Sequence, residues 1–293
     1  MKMKQDVSDR LRAVSGFVFD LDGTLVLGDR HNKGLRPLPG ALAIIECLSQ
    51  AGFPFLIVTN GTTRTPQQYA ETLRSVGFSL HDGAVQTPSS VAADYFVRRK
   101  YKRVMALGVE GVWGPIAQAG LEIVPPVGQG SADAVYVGWC PDFKLAELES
   151  ACHAVWQGAR LFIASHAPFF ATAQGKTMGT SRAIGAMITS LTGRRAMVLG
   201  KPSAAALKSA SRSLGVAVAH LAVVGDDPAM EVPMALHGGA LAIAVCTGVG
   251  GEEDYRHLPA ERQPHLVLPG VGELLNLLAD GAFPDSVSRG MHS

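Results

Sequence analysis

The chain has 293 residues, 47% of them hydrophobic and 17% charged, with a formal net charge of +1. That length can bury a sizeable core as one large domain or two smaller ones, and the near-neutral balance leaves no surplus to attract nucleic acid or anionic lipid. No stretch approaches the roughly 18 uncharged apolar residues of a membrane span, residues 1–15 lack the apolar core of a signal peptide, and Cys47, Cys140, Cys152 and Cys246 have no CxxC spacing. The expectation is a cytoplasmic protein with reduced, mostly buried thiols and neither nucleic acid nor membrane as partner.

Short β-rich runs alternate with amphipathic segments, the pattern of parallel strands joined by crossover helices, so the class is α/β. Residues 16–21 read as a buried strand, 40–51 as a helix closed by Gly52, and 53–59 as the next strand. Thr65 and Pro66 open a helix running to Val76, because threonine caps free amides and proline suits the first helical position. The segment TPSS at 87–90 reads as a hinge. Beyond it come a helix at 91–100, strands at 103–108, 134–138 and 160–164, and helices at 144–157 and 181–192. From Met197 the first pattern resumes with a strand, Lys201 and Pro202, a helix at 204–214, a strand at 221–225, a further helix and a strand at 240–245. The expected organisation is a discontinuous core at 1–87 and 197–293 around an inserted domain at 88–196. The tail after Ala282 reads as mobile, its small and polar residues offering little to bury.

Asp20 and Asp22, in FVFDLDGT, stand at the carboxyl end of the first strand, where open α/β sheets bind ligands. Alone, such a sequence is equally an ordinary strand-to-turn exit. Three more polar groups follow apolar runs, however. FPFLIV leads into Thr59, Asn60 and Gly61, VLG into Lys201 with Pro202, and LAVVG into Asp226 and Asp227. Parallel strands would converge all four exits on one edge.

This ordered set resembles the four motifs of the haloacid dehalogenase superfamily. QGARLFIAS before a helix and GRRAMVLGKPS are further similar to the NagD-like, class IIA phosphatases, also called the p-nitrophenyl phosphatase family. The resemblance implies a Rossmann-like, doubly wound parallel sheet core carrying an inserted α/β cap of the C2 type. It also implies that Asp20 attacks phosphorus to form an aspartyl-phosphate while Asp22 protonates the leaving oxygen and then activates water. Asp20, the backbone carbonyl of Asp22, and Asp226 would hold Mg²⁺, which offsets the repulsion between carboxylate and phosphate. Thr59 and Asn60 would donate hydrogen bonds to the phosphoryl oxygens, Gly61 would offer a backbone amide, and Lys201 a fixed positive charge. Asp227 is a candidate supporting residue or a solvated loop carboxylate. Where the commonest fourth motif has a second Asp, this chain has Glu231; its longer arm either supports the metal site or lies in a helix's first turn, favoured by the dipole.

In that family the cap reads the leaving group. Residues 165–177 (SHAPFFATAQGKT) form a candidate substrate loop, with His166 and Phe169 as candidate contacts and cap packing as the alternative for Phe169 and Phe170. Relatives often carry Asn-Pro-Asp where His166, Ala167 and Pro168 stand here, so substrate transfer by analogy is unsafe. Trp113, Trp139 and Trp156 read as cap packing. The cap is also a candidate homodimer interface, though no residue stripe identifies one. The leading function is Mg²⁺-dependent hydrolysis of a small phosphorylated metabolite, of nucleotide or sugar phosphate type. The alternatives are a ligand-binding or regulatory protein with weak chemistry, and a phosphotransferase.

Overall fold

The computed structural model describes residues 2–28, 34–172 and 175–281. The chain divides into two compact units, one comprising Met1–Thr59, Ala70–Val85 and Leu207–Ser293, the other Asn60–Tyr69 and Gln86–Ala206.

The first unit is built on a six-stranded sheet in the order Leu266–Leu268, Leu241–Val245, Leu221–Gly225, Gly16–Asp20, Phe55–Val58, Val85–Gln86. The first five of these strands run parallel. The sequences GFVFD, FLIV, LAVVG and LAIAV are buried along their whole length, as strands covered on both faces must be. Phe17 and Phe19 stack at 5.4 Å between ring centroids, and each buried ring of this kind contributes about 2–3 kcal/mol through apolar area removed from water.

The winding of this sheet decides where the site lies. From Gly16–Asp20 the chain passes through helix Ala41–Gln50 to Phe55–Val58 on one side. From the adjacent Leu221–Gly225 it passes through helix Glu231–Gly238 to Leu241–Val245 on the other. The two connections leave in opposite directions, which opens a crevice between the carboxyl ends of this strand pair. An N-terminal helix, Lys2–Arg12, which the sequence pattern did not signal, joins the unit through Arg10, whose guanidinium meets the His265 ring at 2.8 Å.

The second unit holds a five-stranded parallel sheet in the order Met197–Val198, Arg160–Ile163, Ala134–Val137, Arg103–Leu107, Glu122–Ile123. Three sequence expectations are corrected here. TPSS is the start of helix Pro88–Arg98, just past the junction of the two units at Val85–Gln86: Thr87 Oγ1 accepts the Ser90 N–H at 3.3 Å while Ser90 Oγ accepts the Thr87 N–H at 3.0 Å, a capping box in place of an irregular linker. The strand before Lys201 belongs to this second sheet, since Met197 pairs with Phe162 and Val198 with Ile163. With only two residues, its own sequence gave no pattern to choose a sheet. Finally, Trp113 and Trp156 are 40% and 56% exposed and so do not pack the interior.

Residues 165–177 are partly regular: Phe169–Thr172 and Gly175–Met178 form an antiparallel hairpin, and residues 173 and 174 lie outside the described set. The tail from 282 to 293 also lies outside it. All four cysteines are free, with Cys47 and Cys152 buried and Cys140 and Cys246 partly so. Among the described residues no helix is long and apolar enough to cross a membrane.

Candidate active site

Strand GFVFD delivers Asp20 to the crevice of the first sheet, and LAVVG delivers Asp226 from the adjacent strand, the pairing of Phe19 with Val224 setting the two at the same edge. Both carboxylates are buried, Asp20 at 5% exposure. Buried carboxylates require hydrogen-bonding partners. The Thr24 hydroxyl lies 3.3 Å from Asp20 Oδ2 and 3.5 Å from Asp226 Oδ1, and the Val249 N–H donates to Asp226 Oδ2 at 2.7 Å. The backbone carbonyl of Asp226 accepts from the Gly250 N–H at 2.9 Å and from the Tyr255 hydroxyl at 2.5 Å.

Two glycines make this approach sterically feasible. A Cβ on Gly23, whose φ is +88°, or on Gly248 would overlap Asp226 Oδ2. The Thr247 hydroxyl ties the two segments together by donating to the Gly23 carbonyl at 2.6 Å. Burial, and then the negative charges of Asp226 and Glu231, push the Tyr255 hydroxyl above the ordinary tyrosine range, so it remains a donor.

Glu231 opens helix Glu231–Gly238 and is buried. One oxygen from each of Asp20, Asp226 and Glu231 lies within 4.8 Å of the others. Three clustered carboxylate donors are the hard oxygen set that suits Mg²⁺, so these residues fit the cation implied for this fold family. Glu231 Oε2 also accepts the Asp227 N–H at 3.2 Å, which fixes the turn between strand and helix. Asp227 itself accepts the Ala229 N–H at 2.7 Å, an Asx turn that serves the loop.

Asp22 has a different environment from Asp20. It is exposed, and the Thr59 hydroxyl donates to its Oδ2 at 3.4 Å. Solvent thus reaches the Asp22 carboxylate directly, while that of Asp20, two residues earlier, is enclosed.

In the second unit, Asn60 and Lys201 are locked together. Lys201 N–H donates to Asn60 Oδ1 at 2.8 Å, and Asn60 Nδ2 donates to the Lys201 carbonyl at 3.1 Å. Gly200 permits this, as a Cβ there would crowd Asn60 Oδ1. Lys201 is 3% exposed, unusual for a lysine and the mark of a charge held in place. Gly61 follows directly in the chain and is partly buried.

His166 is exposed, its carbonyl accepting from Arg182 Nη1 at 3.0 Å, and Phe169, 43% exposed, begins the hairpin. The structure thus gathers Asp20, Asp226 and Glu231 in one cluster, Asp22 with Thr59, and Asn60 with Lys201. Sequence reasoning had passed over Thr24, Gly248 and Tyr255. The run LAIAV leading into Cys246, Thr247 and Gly248 is a further strand exit that could have signalled the loop.

A family model described as haloacid dehalogenase-like hydrolase matches residues 17–122, and a second, for HAD-like hydrolases, matches residues 198–274. The chain belongs to the haloacid dehalogenase superfamily of hydrolases. It is 28% identical over 244 residues to the 5'-nucleotidase YutF of Bacillus subtilis, covering 83% of this chain and 91% of that one. It is 27% identical over 248 residues to an acid sugar phosphatase of Staphylococcus aureus, covering 84% and 92%. A 4-nitrophenylphosphatase structure from Thermotoga maritima superposes with a TM-score of 0.80 at 26% identity, over 92% of this chain and 98% of that one.

Proposed function

We propose that the chain is a Mg²⁺-dependent phosphatase that hydrolyses small phosphomonoesters, of nucleotide or sugar phosphate type, through an aspartyl-phosphate. The observation that carries this reading is the buried cluster of Asp20, Asp226 and Glu231 within 4.8 Å, with Asp20 at the end of its strand. The names of the relatives, a 5'-nucleotidase and an acid sugar phosphatase, support a small phosphorylated substrate.

Asp20, Asp226, Glu231 and the backbone carbonyl of Asp22 would hold the cation. Bound there, Mg²⁺ would supply positive charge that lets a carboxylate approach a phosphate dianion. An Asp20 carboxylate oxygen then attacks phosphorus, the bond to the leaving oxygen breaks, and that oxygen takes a proton from Asp22. In the second displacement Asp22 accepts a proton from water, whose oxygen attacks phosphorus and releases inorganic phosphate and the Asp20 carboxylate. Thr59, Asn60 and Gly61 donate to the phosphoryl oxygens, and the Lys201 ammonium adds fixed positive charge without reorganisation. His166 and Phe169 are the proposed contacts to the leaving group.

A panel of phosphomonoesters with Mg²⁺, read as phosphate release, tests the reading. Turnover is expected for the native chain and is lost in Asp20→Asn. A panel showing no release above that variant, while a ligand still stabilises the fold, would replace it with a binding or regulatory role.

A further inference from the structure

The winding rule that locates Asp20 and Asp226 applies a second time. In the sheet of the second unit, Arg103–Leu107 and Ala134–Val137 are neighbours. From the first the chain passes through helix Glu110–Gln118 to the edge strand Glu122–Ile123. From the second it passes through helix Leu145–Trp156 to Arg160–Ile163 on the opposite side. A crevice must therefore open between the carboxyl ends of these two strands. A cavity of about 600 Å³ lies there, bounded by Leu107 and Gly108 after one strand and by Cys140 after the other. Its volume is in the range that holds small-molecule ligands.

The lining specifies chemistry. Trp113 and Phe143 supply aromatic walls and Pro125 and Pro126 a flat apolar edge, while the ionisable groups are the carboxyls of Asp142 and Glu147 and the Cys140 thiol. Among the described residues no lysine, arginine or histidine lines it. Glu147 Oε2 accepts the Lys144 N–H at 3.2 Å, and the Cys140 thiol donates to the Asp142 carbonyl at 3.2 Å, so the acidic rim is held in shape. Aromatic walls beside negative charge favour a flat ring bearing a cation and disfavour a phosphate.

We propose that this cavity is a second ligand site, confined to the inserted unit, for a small aromatic amine. The site is independent of the phosphatase reading, because none of its residues belongs to the Asp20 cluster or to the Asn60 and Lys201 pair.

The test uses the full chain with phenethylamine and, as a probe of equal ring and opposite charge, 3-phenylpropionate. Calorimetric titration is expected to show saturable phenethylamine binding and markedly weaker binding of the anion. Asp142→Asn should weaken phenethylamine about fivefold, as loss of one exposed charge pair does. Trp113→Ala, at a side chain 40% exposed and so safe for folding, should remove most of the binding. Iodoacetamide alkylation of Cys140, mapped by peptide mass spectrometry, should slow when phenethylamine is present. No saturable binding, equal affinity for the two probes, or a Cys140 alkylation rate unmoved by phenethylamine each overturns the site.

Discussion

Tyr255, 1% exposed, donates its hydroxyl hydrogen to the backbone carbonyl of Asp226 at 2.5 Å across a sequence separation of 29 residues. The contact anchors the residue that carries one of the three clustered carboxylates. Tyr255→Phe keeps the ring and deletes the donor. It should lower stability by about 1 kcal/mol, the net worth of one hydrogen bond, and lower Mg²⁺ affinity because the Asp226 backbone loses a tether. Chemical denaturation and calorimetric titration of Mg²⁺ check the two effects, and a variant unchanged in both would remove the anchoring role. The pH dependence has a definite sign. The folded-state value is raised, so its stabilisation is fully present below the unfolded tyrosine value of about 10 and declines as pH rises above it. Tyr255→Phe should flatten that alkaline loss.

Gly248 sits against Asp226 so closely that a Cβ would overlap Oδ2. Gly248→Ala should therefore displace the carboxylate, cutting phosphatase turnover and Mg²⁺ affinity by an order of magnitude or more, in line with roughly 10–100-fold losses when groups supporting metal ligands are changed. Thermal melting without metal should change far less than turnover. Native cation affinity in this variant would contradict the crowding.

Glu231 combines two roles that substitution can separate. Glu231→Gln retains a carbonyl oxygen able to accept the Asp227 N–H, so the fold should hold while Mg²⁺ affinity falls with the lost charge. Glu231→Ala removes both, adding about 1–3 kcal/mol of instability for the amide left without its acceptor. Equal Mg²⁺ affinities for native chain and Glu231→Gln would take Glu231 out of the cation site.

Asn60 holds the backbone of Lys201 by two reciprocal hydrogen bonds. Asn60→Ala should loosen the lysine and raise the inhibition constant of the product, inorganic phosphate, at least tenfold, consistent with roughly 1.4 kcal/mol per decade. Inhibition by phosphate that stays as tight as in the native chain would show that Lys201 needs no such hold.

The clustered carboxylates Asp20 and Asp226 were legible because their signal is local: FVFD and LAVVGD each place an acid directly after a run too apolar to be anything but a buried strand. The sheet to which a two-residue strand belongs is not local information, and Met197–Val198 was assigned to the wrong one for that reason. TPSS reads as a linker until Ser90 is seen to reach back to Thr87, a reciprocal contact that turns the same letters into a helix start. Thr24 was visible only as part of a turn; its relation to Asp226, 202 residues on, exists only once two strands pair. Gly248 lies three residues past the buried run LAIAV, a strand exit of the same kind, whereas nothing in the immediate sequence of Tyr255 marks its reach back to Asp226.

The chain crosses between its two units at Thr59–Asn60, Tyr69–Ala70, Val85–Gln86 and Ala206–Leu207. A chimera that exchanges only residues 88–196 with a relative would thus inherit Asn60 and Lys201 from the recipient. Lys201 and the Asn60 side chain that clamps it would stay matched to each other, while the donor would supply every residue between 88 and 196. Grafting at those bounds leaves the clamp within one parent sequence, whereas a graft that also carries 197–206 takes Lys201 from the donor and leaves Asn60 to the recipient.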